Sequence, residues 1–255
     1  MFERLGSVLG RFLERDKPRD QPVIAQDHPA LSATIRVGDV LLVEGRARIS
    51  TAIKYLTQST WSHAALCVRD LRDGGNLVEL VEVTLQDGCH RVPLSKYALF
   101  NTRLCRPASL SDAERIAVAR YMADRIGYTY DTRNVIDLAR YLFPTPPIPV
   151  RWRRHMLSLG SGDPTRAICS SLIAQAFQSV RYPVHPQIEM LRQPGTGQTV
   201  GRVQGQVWRP RSPTLIVPRD FDLSPYFAVV KPTLTHGFDH HRIPWADAGT
   251  GKVLG

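Results

Sequence analysis

A cysteine at the start of a regular helix is the strongest chemical signal in this chain. Cys169 opens the stretch ICSSLIAQAFQSV (residues 168–180), after an Asp163-Pro164-Thr165 turn. A thiol at a helix N-terminus faces unpaired backbone N–H groups and the positive end of the macrodipole, and both stabilise the thiolate. The thiolate is the nucleophilic form, and the same N–H groups can hold an oxyanion. The bland alternative is a small buried core residue.

A nucleophilic cysteine needs a base. Of the eight histidines, His63 is the best placed, in TWSHAALCV (residues 60–68), where the flanking pattern predicts a strand. Its neighbours Ser62 and Ala64 point to the opposite strand face, and small residues around it leave room for a partner side chain. The base in turn needs an orienter. Glu82 sits inside the apolar run LVELVEVT (residues 77–84), where a carboxylate without a partner is rare. A carboxylate that accepts an imidazole N–H fixes the tautomer and supports the imidazolium. Glu79 is the competitor, an odd number of residues away and so on the other face. A satisfied core histidine and one end of a structural ion pair are the plain readings of His63 and Glu82.

The other candidates are weaker. Cys89 and His90 are adjacent, and neighbours on a strand point apart, so they are not expected to form a dyad. Cys67 and Cys105 lie in apolar strand segments and read as core. No cysteine pair has zinc-ligand spacing, so no metal and no cofactor is expected.

The elements that must position these residues are short. Strands are predicted over residues 34–43, 60–68, 77–83, 88–94 and 101–106, with connections short enough to require mainly antiparallel pairing. Helices are predicted over 49–58, 111–126, 132–143 and 168–180. Ser111 with Glu114 three residues on is a capping-box signature, and Gly127 is placed as the C-cap. Residues 183–213 are rich in Pro, Gly and Gln and read as a long loop or lid. Between Arg181 and Arg219 there are six arginines and one acid, Glu189. Such a lid could face substrate or a membrane, or be a solvated excursion. Residues 1–15 place Phe2, Leu5, Leu9, Phe12 and Leu13 at helical spacing, and residues 17–22 break that helix as a linker. The division expected is a helix and linker at 1–22, a main domain at 23–230 and a tail at 231–255 carrying His236, His240 and His241.

The 255 residues are 43% hydrophobic and 22% charged, which excludes a disordered chain, a coiled coil and a collagen-like repeat. No apolar run is long enough to cross a membrane as a helix. The net charge of +10 favours an anionic partner such as an anionic membrane or a cell-wall surface. Nucleic acid is not expected, because no helix-turn-helix or zinc module accompanies the charge. Arg11 interrupts any signal-peptide core, so a cytoplasmic or peripheral membrane protein without a cleavable signal is expected, with export by a signal-independent route left open.

The order GDVLL (38–42), WSHAAL (61–66), VELVEV (78–83), RVPL (91–94) and CSSLIAQAF (169–177), joined by GYTYD (127–131) and VPRDFDLSP (217–225), resembles the bacterial permuted papain-like cysteine amidases of the YiiX/YaeF type, in the NlpC-type superfamily. The resemblance spans residues 34–225. It implies an α+β, permuted papain-like fold, with a mainly antiparallel sheet packed against the helix that bears the nucleophile. The histidine strand comes first and the cysteine helix later, as here. The family positions fall on Cys169 as nucleophile, His63 as base and Glu82 as third member, a set that transfers or cleaves acyl groups through a thioester. The expected function is a cysteine hydrolase of an amide, a peptide such as a cell-wall stem peptide. The alternatives are a lipid acyl hydrolase or acyltransferase, as in the similarly permuted lecithin:retinol acyltransferase-like relatives, and a non-catalytic basic binding module.

Overall fold

The computed structural model describes residues 28–128, 168–192, 203–233, 245–246 and 253–254. The expected N-terminal helix and linker (1–22), the helix at 132–143, the middle of the basic segment (193–202) and His236, His240 and His241 lie outside the described residues.

In chain order the elements are α1 (His28–Thr34), β1 (Val40–Val43), α2 (Arg48–Thr57), β2 (His63–Arg69), β3 (Glu79–Thr84), β4 (Gly88–Pro93) and β5 (Thr102–Pro107). Then follow α3 (Asp112–Ala123), α4 (Ile168–Ser179), β6 (Gln187–Arg192), β7 (Val203–Arg209), α5 (Pro218–Leu223), β8 (Phe227–Val230), β9 (Trp245–Ala246) and β10 (Val253–Leu254). Six of the strands make one sheet in the order β4-β3-β2-β1-β5-β8, and every pairing in it is antiparallel. The molecule is therefore α+β, with the mainly antiparallel sheet that the short connections require. Among the described residues no helix is long and apolar enough to cross a membrane.

Alternation along the strands splits the core into two layers. Val40, Leu42, Ala64, Leu66, Val81 and Val83 face α3 and α4, where they meet Val118, Met122, Ile173 and Phe177. Leu41, Val43, Ala65, Cys67 and Leu80 face the other way, onto Leu31 and Ile35 after α1 begins and onto Leu94 and Tyr97 of a short 3-10 turn. Both sheet faces are covered, which is why β1 reads as an unbroken apolar run rather than an alternating one.

The strand expected at 34–43 is shorter than its pattern suggested. Thr34 closes α1, and β1 begins only at Val40. Between them Asp39, fully buried, accepts from the Arg36 backbone N–H at 2.9 Å and from the Arg106 and Arg115 guanidinium groups at 2.7 and 3.2 Å. Gly38 has φ +82, and a Cβ there would lie 3.2 Å from Arg115 Cβ, so the turn takes glycine for both reasons. The capping box is present, with Ser111 and Glu114 satisfying each other's backbone N–H groups. The helix ends at Ala123 rather than at Ile126, and Gly127, at φ +90, instead returns its N–H to Cys89.

The segment expected as a loop or lid carries regular structure. β6 and β7 pair as an antiparallel ribbon, with Gln187 opposite Arg209. Its sequence lacks the alternation of a half-buried strand because Ile188 and Trp208, themselves paired, are both half-exposed.

Candidate active site

His63 is the first residue of β2, and the two positions before it are pinned. The Trp61 indole N–H donates to Asp222 Oδ2 at 3.0 Å, and Asp222 also holds the Arg103 guanidinium at 2.8 Å. Ser62 Oγ accepts from the Gly45 backbone N–H at 2.9 Å. His63 alternates with Ala64 and so shares the sheet face of Ala65 and Cys67. Glu82 alternates with Val81 and Val83 and shares that same face, beside Leu80. His63 Nε2 and Glu82 Oε2 are 2.5 Å apart.

Cys169 arrives from the opposite side. Its helix packs on the Ala64, Leu66 and Val81 face, and the cysteine is 5% exposed. The two sides meet because the ladder between β2 and β3 opens. Its register runs through Arg69, Cys67 and Leu66 and does not extend to Ala64. The sulfur takes up what the ladder leaves free: it accepts hydrogen bonds from the Ala64 and Ser170 backbone N–H groups and is hydrogen-bonded to the His63 ring. With Nε2 committed to Glu82, Nδ1 is the nitrogen left for the sulfur.

Electrostatics follow from this geometry. Burial resists ionisation of the Cys169 thiol, but the charge and hydrogen bond of His63 and the two backbone N–H groups outweigh it, and the thiol is lowered from 9.0. Burial also opposes a charge on His63, yet the Cys169 sulfur and the Glu82 carboxylate push the imidazole up to about 10. Glu82, 1% exposed, is pushed up by burial and pulled further down by His63, Lys96 and Tyr97, so it stays well below the usual carboxylate range. Both shifts favour the thiolate and imidazolium form of the pair. The remaining cysteines show what burial does without such partners. Cys67, Cys89 and Cys105 are all raised by it, Cys105 to about 12.

All three residues singled out in the sequence thus come together, and Glu79 goes elsewhere, paired with Arg69 and Arg91 at 3.2 and 3.1 Å. Cys67 and Cys105 are core residues, and Cys89 is buried with its thiol against the Met122 carbonyl. Three participants were missed. Tyr97 donates its hydroxyl to Glu82 Oε2, Lys96 reaches Oε1, and His90 Nε2 lies 3.1 Å from Oε1. The His90 contact was readable: the β3–β4 hairpin pairs Thr84 with Gly88, which sets Glu82 directly opposite His90 on one face. Lys96 and Tyr97 come from the 3-10 turn after β4, and no spacing rule connects that turn to Glu82. Among the described residues no cluster of His, Cys, Asp and Glu could hold a metal ion.

Neither a protein-family model nor a curated protein matches this chain.

Proposed function

We propose that the protein is a cysteine hydrolase that cleaves an amide bond in a peptide, with Cys169 as nucleophile, His63 as acid and base, and Glu82 as the carboxylate that orients His63. The observation that carries this reading is the contrast among four buried cysteines. Cys169 alone sits against an imidazole and two N–H donors, and it alone has its thiol lowered. The order of the three residues, the antiparallel sheet and the packing of α4 on it support a permuted papain-like fold of the YiiX/YaeF type.

The chemistry runs in two halves. The Cys169 thiolate adds to the amide carbonyl, and backbone N–H groups at the start of α4 receive the developing oxyanion. The His63 imidazolium gives its proton to the departing amine, and a thioester on Cys169 remains. His63, now neutral, takes a proton from water, whose oxygen attacks the thioester. The acid leaves and the thiolate returns beside a reprotonated His63. Glu82 stays ionised throughout and holds Nε2 in place.

The test is selective alkylation with iodoacetamide at neutral pH, read by peptide mass spectrometry. Cys169 is expected to label faster than Cys67, Cys89 and Cys105, and His63→Ala to slow it. Equal rates among the four cysteines in the folded protein overturn the proposal. Incubation with peptidoglycan fragments and with phospholipid vesicles then separates amide from ester cleavage by the products' masses.

A further inference from the structure

A cavity lies at the C-terminal end of helix α4. Gln178, near its C-terminus, is nine residues from Cys169, so roughly 13 Å along the axis at 1.5 Å per residue. There the chain turns through Arg181 at φ 57, and the base of the β6–β7 ribbon folds back onto the helix. Gln178 Nε2 donates to the Arg211 carbonyl at 2.8 Å, which ties the two together. Between them lies the cavity, of about 350 Å³, whose wall includes Arg181, Arg209, Arg211, Tyr182, His185 and Trp208. Among the described residues no carboxylate contributes to its wall.

Six other arginines among the described residues are neutralised. Arg69, Arg72, Arg91, Arg103, Arg106 and Arg115 each sit on an Asp or Glu within 3.2 Å. The Arg181 and Arg211 side chains have no such partner among the described residues. Three arginines, Arg181, Arg209 and Arg211, line the one cavity, and the planar forks of Arg181 and Arg211 suit the oxygens of a phosphate dianion. Two hydrogen bonds hold the tyrosine of the apolar wall in place. Tyr182 Oη donates to the Tyr226 carbonyl at 2.5 Å and accepts from the Ala108 N–H at 2.9 Å. Trp208 leans on Tyr226 at 5.5 Å between ring centroids and is 48% exposed, which leaves indole surface for a second flat ring. Charge gathered around a cavity of this size fits a discrete small ligand better than a flat surface, which would spread its arginines over an open face.

We propose that this cavity is a binding site for a phosphate monoester carried on a flat ring, a ligand the size of a mononucleotide. The phosphate lies between Arg181 and Arg211, and the ring stacks on Trp208. The site is separate from the cysteine and does not depend on its chemistry.

Isothermal titration of the Cys169→Ala protein tests this without turnover. The probes are guanosine 5′-monophosphate, guanosine and inorganic phosphate, and co-sedimentation with phosphatidylglycerol vesicles covers a lipid source of the phosphate. Saturable binding of the monophosphate is expected, at least tenfold tighter than guanosine or phosphate. The double variant Arg181→Gln/Arg211→Gln should weaken it at least tenfold, and Trp208→Ala several-fold. Absence of binding by the monophosphate, equal affinity for guanosine, an unchanged double variant, or capture by the vesicles alone would each overturn the proposal. Should the double variant fail to fold, the comparison of nucleotide with nucleoside on the parent protein still decides.

Discussion

The two ends of α4 treat charge in opposite ways. At the N-terminal end Cys169, His63, Glu82 and Lys96 lie in one chain of contacts in which each ionised group touches another. At the C-terminal end Arg181 and Arg211 border a cavity to which, among the described residues, no carboxylate contributes. Mutual pairing sets protonation states before a substrate arrives, which is what a nucleophile needs. Unpaired cations at a cavity have their interaction still to make, which is what a binding site needs. In the proposed reading the same helix separates reactivity from recognition by roughly 13 Å.

The largest effect is expected from Cys169→Ala. Amide turnover is expected to fall by about 10,000-fold or more, while calorimetric binding of guanosine monophosphate at the other end stays within twofold. Glu82→Gln comes next. Losing the carboxylate leaves His63 and Lys96 facing a neutral amide, so kcat is expected to drop about 100- to 1,000-fold. Urea denaturation should show a loss of about 2 kcal/mol.

The pH dependence sharpens the contrast within the cysteines. Cys169 is lowered from 9.0 and His63 is raised to about 10, so thiolate and imidazolium coexist between those two titrations. Alkylation of Cys169 is expected to be already fast at pH 7, whereas Cys105, raised to about 12, stays slow throughout that range. The signs for stability are opposite on the two partners. His63 contributes fully below its ordinary 6.5, and that contribution fades as pH climbs through about 10. Glu82 contributes above its ordinary 4.5 and loses its contribution in acid.

Tyr97→Phe removes one donor from Glu82 and keeps the ring in the core. A loss of about 1 kcal/mol, or about fivefold in kcat with KM unchanged, is expected from steady-state kinetics. The smallest effect belongs to the far end: Arg181→Gln/Arg211→Gln should leave the Cys169 alkylation rate within twofold. A larger change would mean that the two ends are coupled.

Most of the site was legible in the sequence because its members have local signatures. A cysteine after a turn at a helix start, a histidine among small strand residues and a carboxylate in an apolar run are each visible in a short window. Strand and helix positions followed from alternation and capping for the same reason. What escaped was tertiary. Lys96 and Tyr97 reach Glu82 from a turn whose own pattern says only that Leu94 and Tyr97 are apolar. The start of β1 shifted because Asp39 is held by Arg106 and Arg115 from distant elements, and no local pattern contains those partners. The β6–β7 ribbon was hidden because its composition is that of a loop, and its pairing depends on residues more than ten apart along the chain.

The opening between β2 and β3 also gives the thiol a diagnostic use. The sulfur comes from one layer of the protein and its imidazole from the other, so their contact survives only while both layers stay docked on the sheet. Detachment of either layer returns Cys169 to an ordinary thiol. Its rate of labelling is therefore a gauge of global assembly as well as of chemistry, and a slow-labelling variant calls for a check of tertiary integrity before any loss of catalysis is inferred.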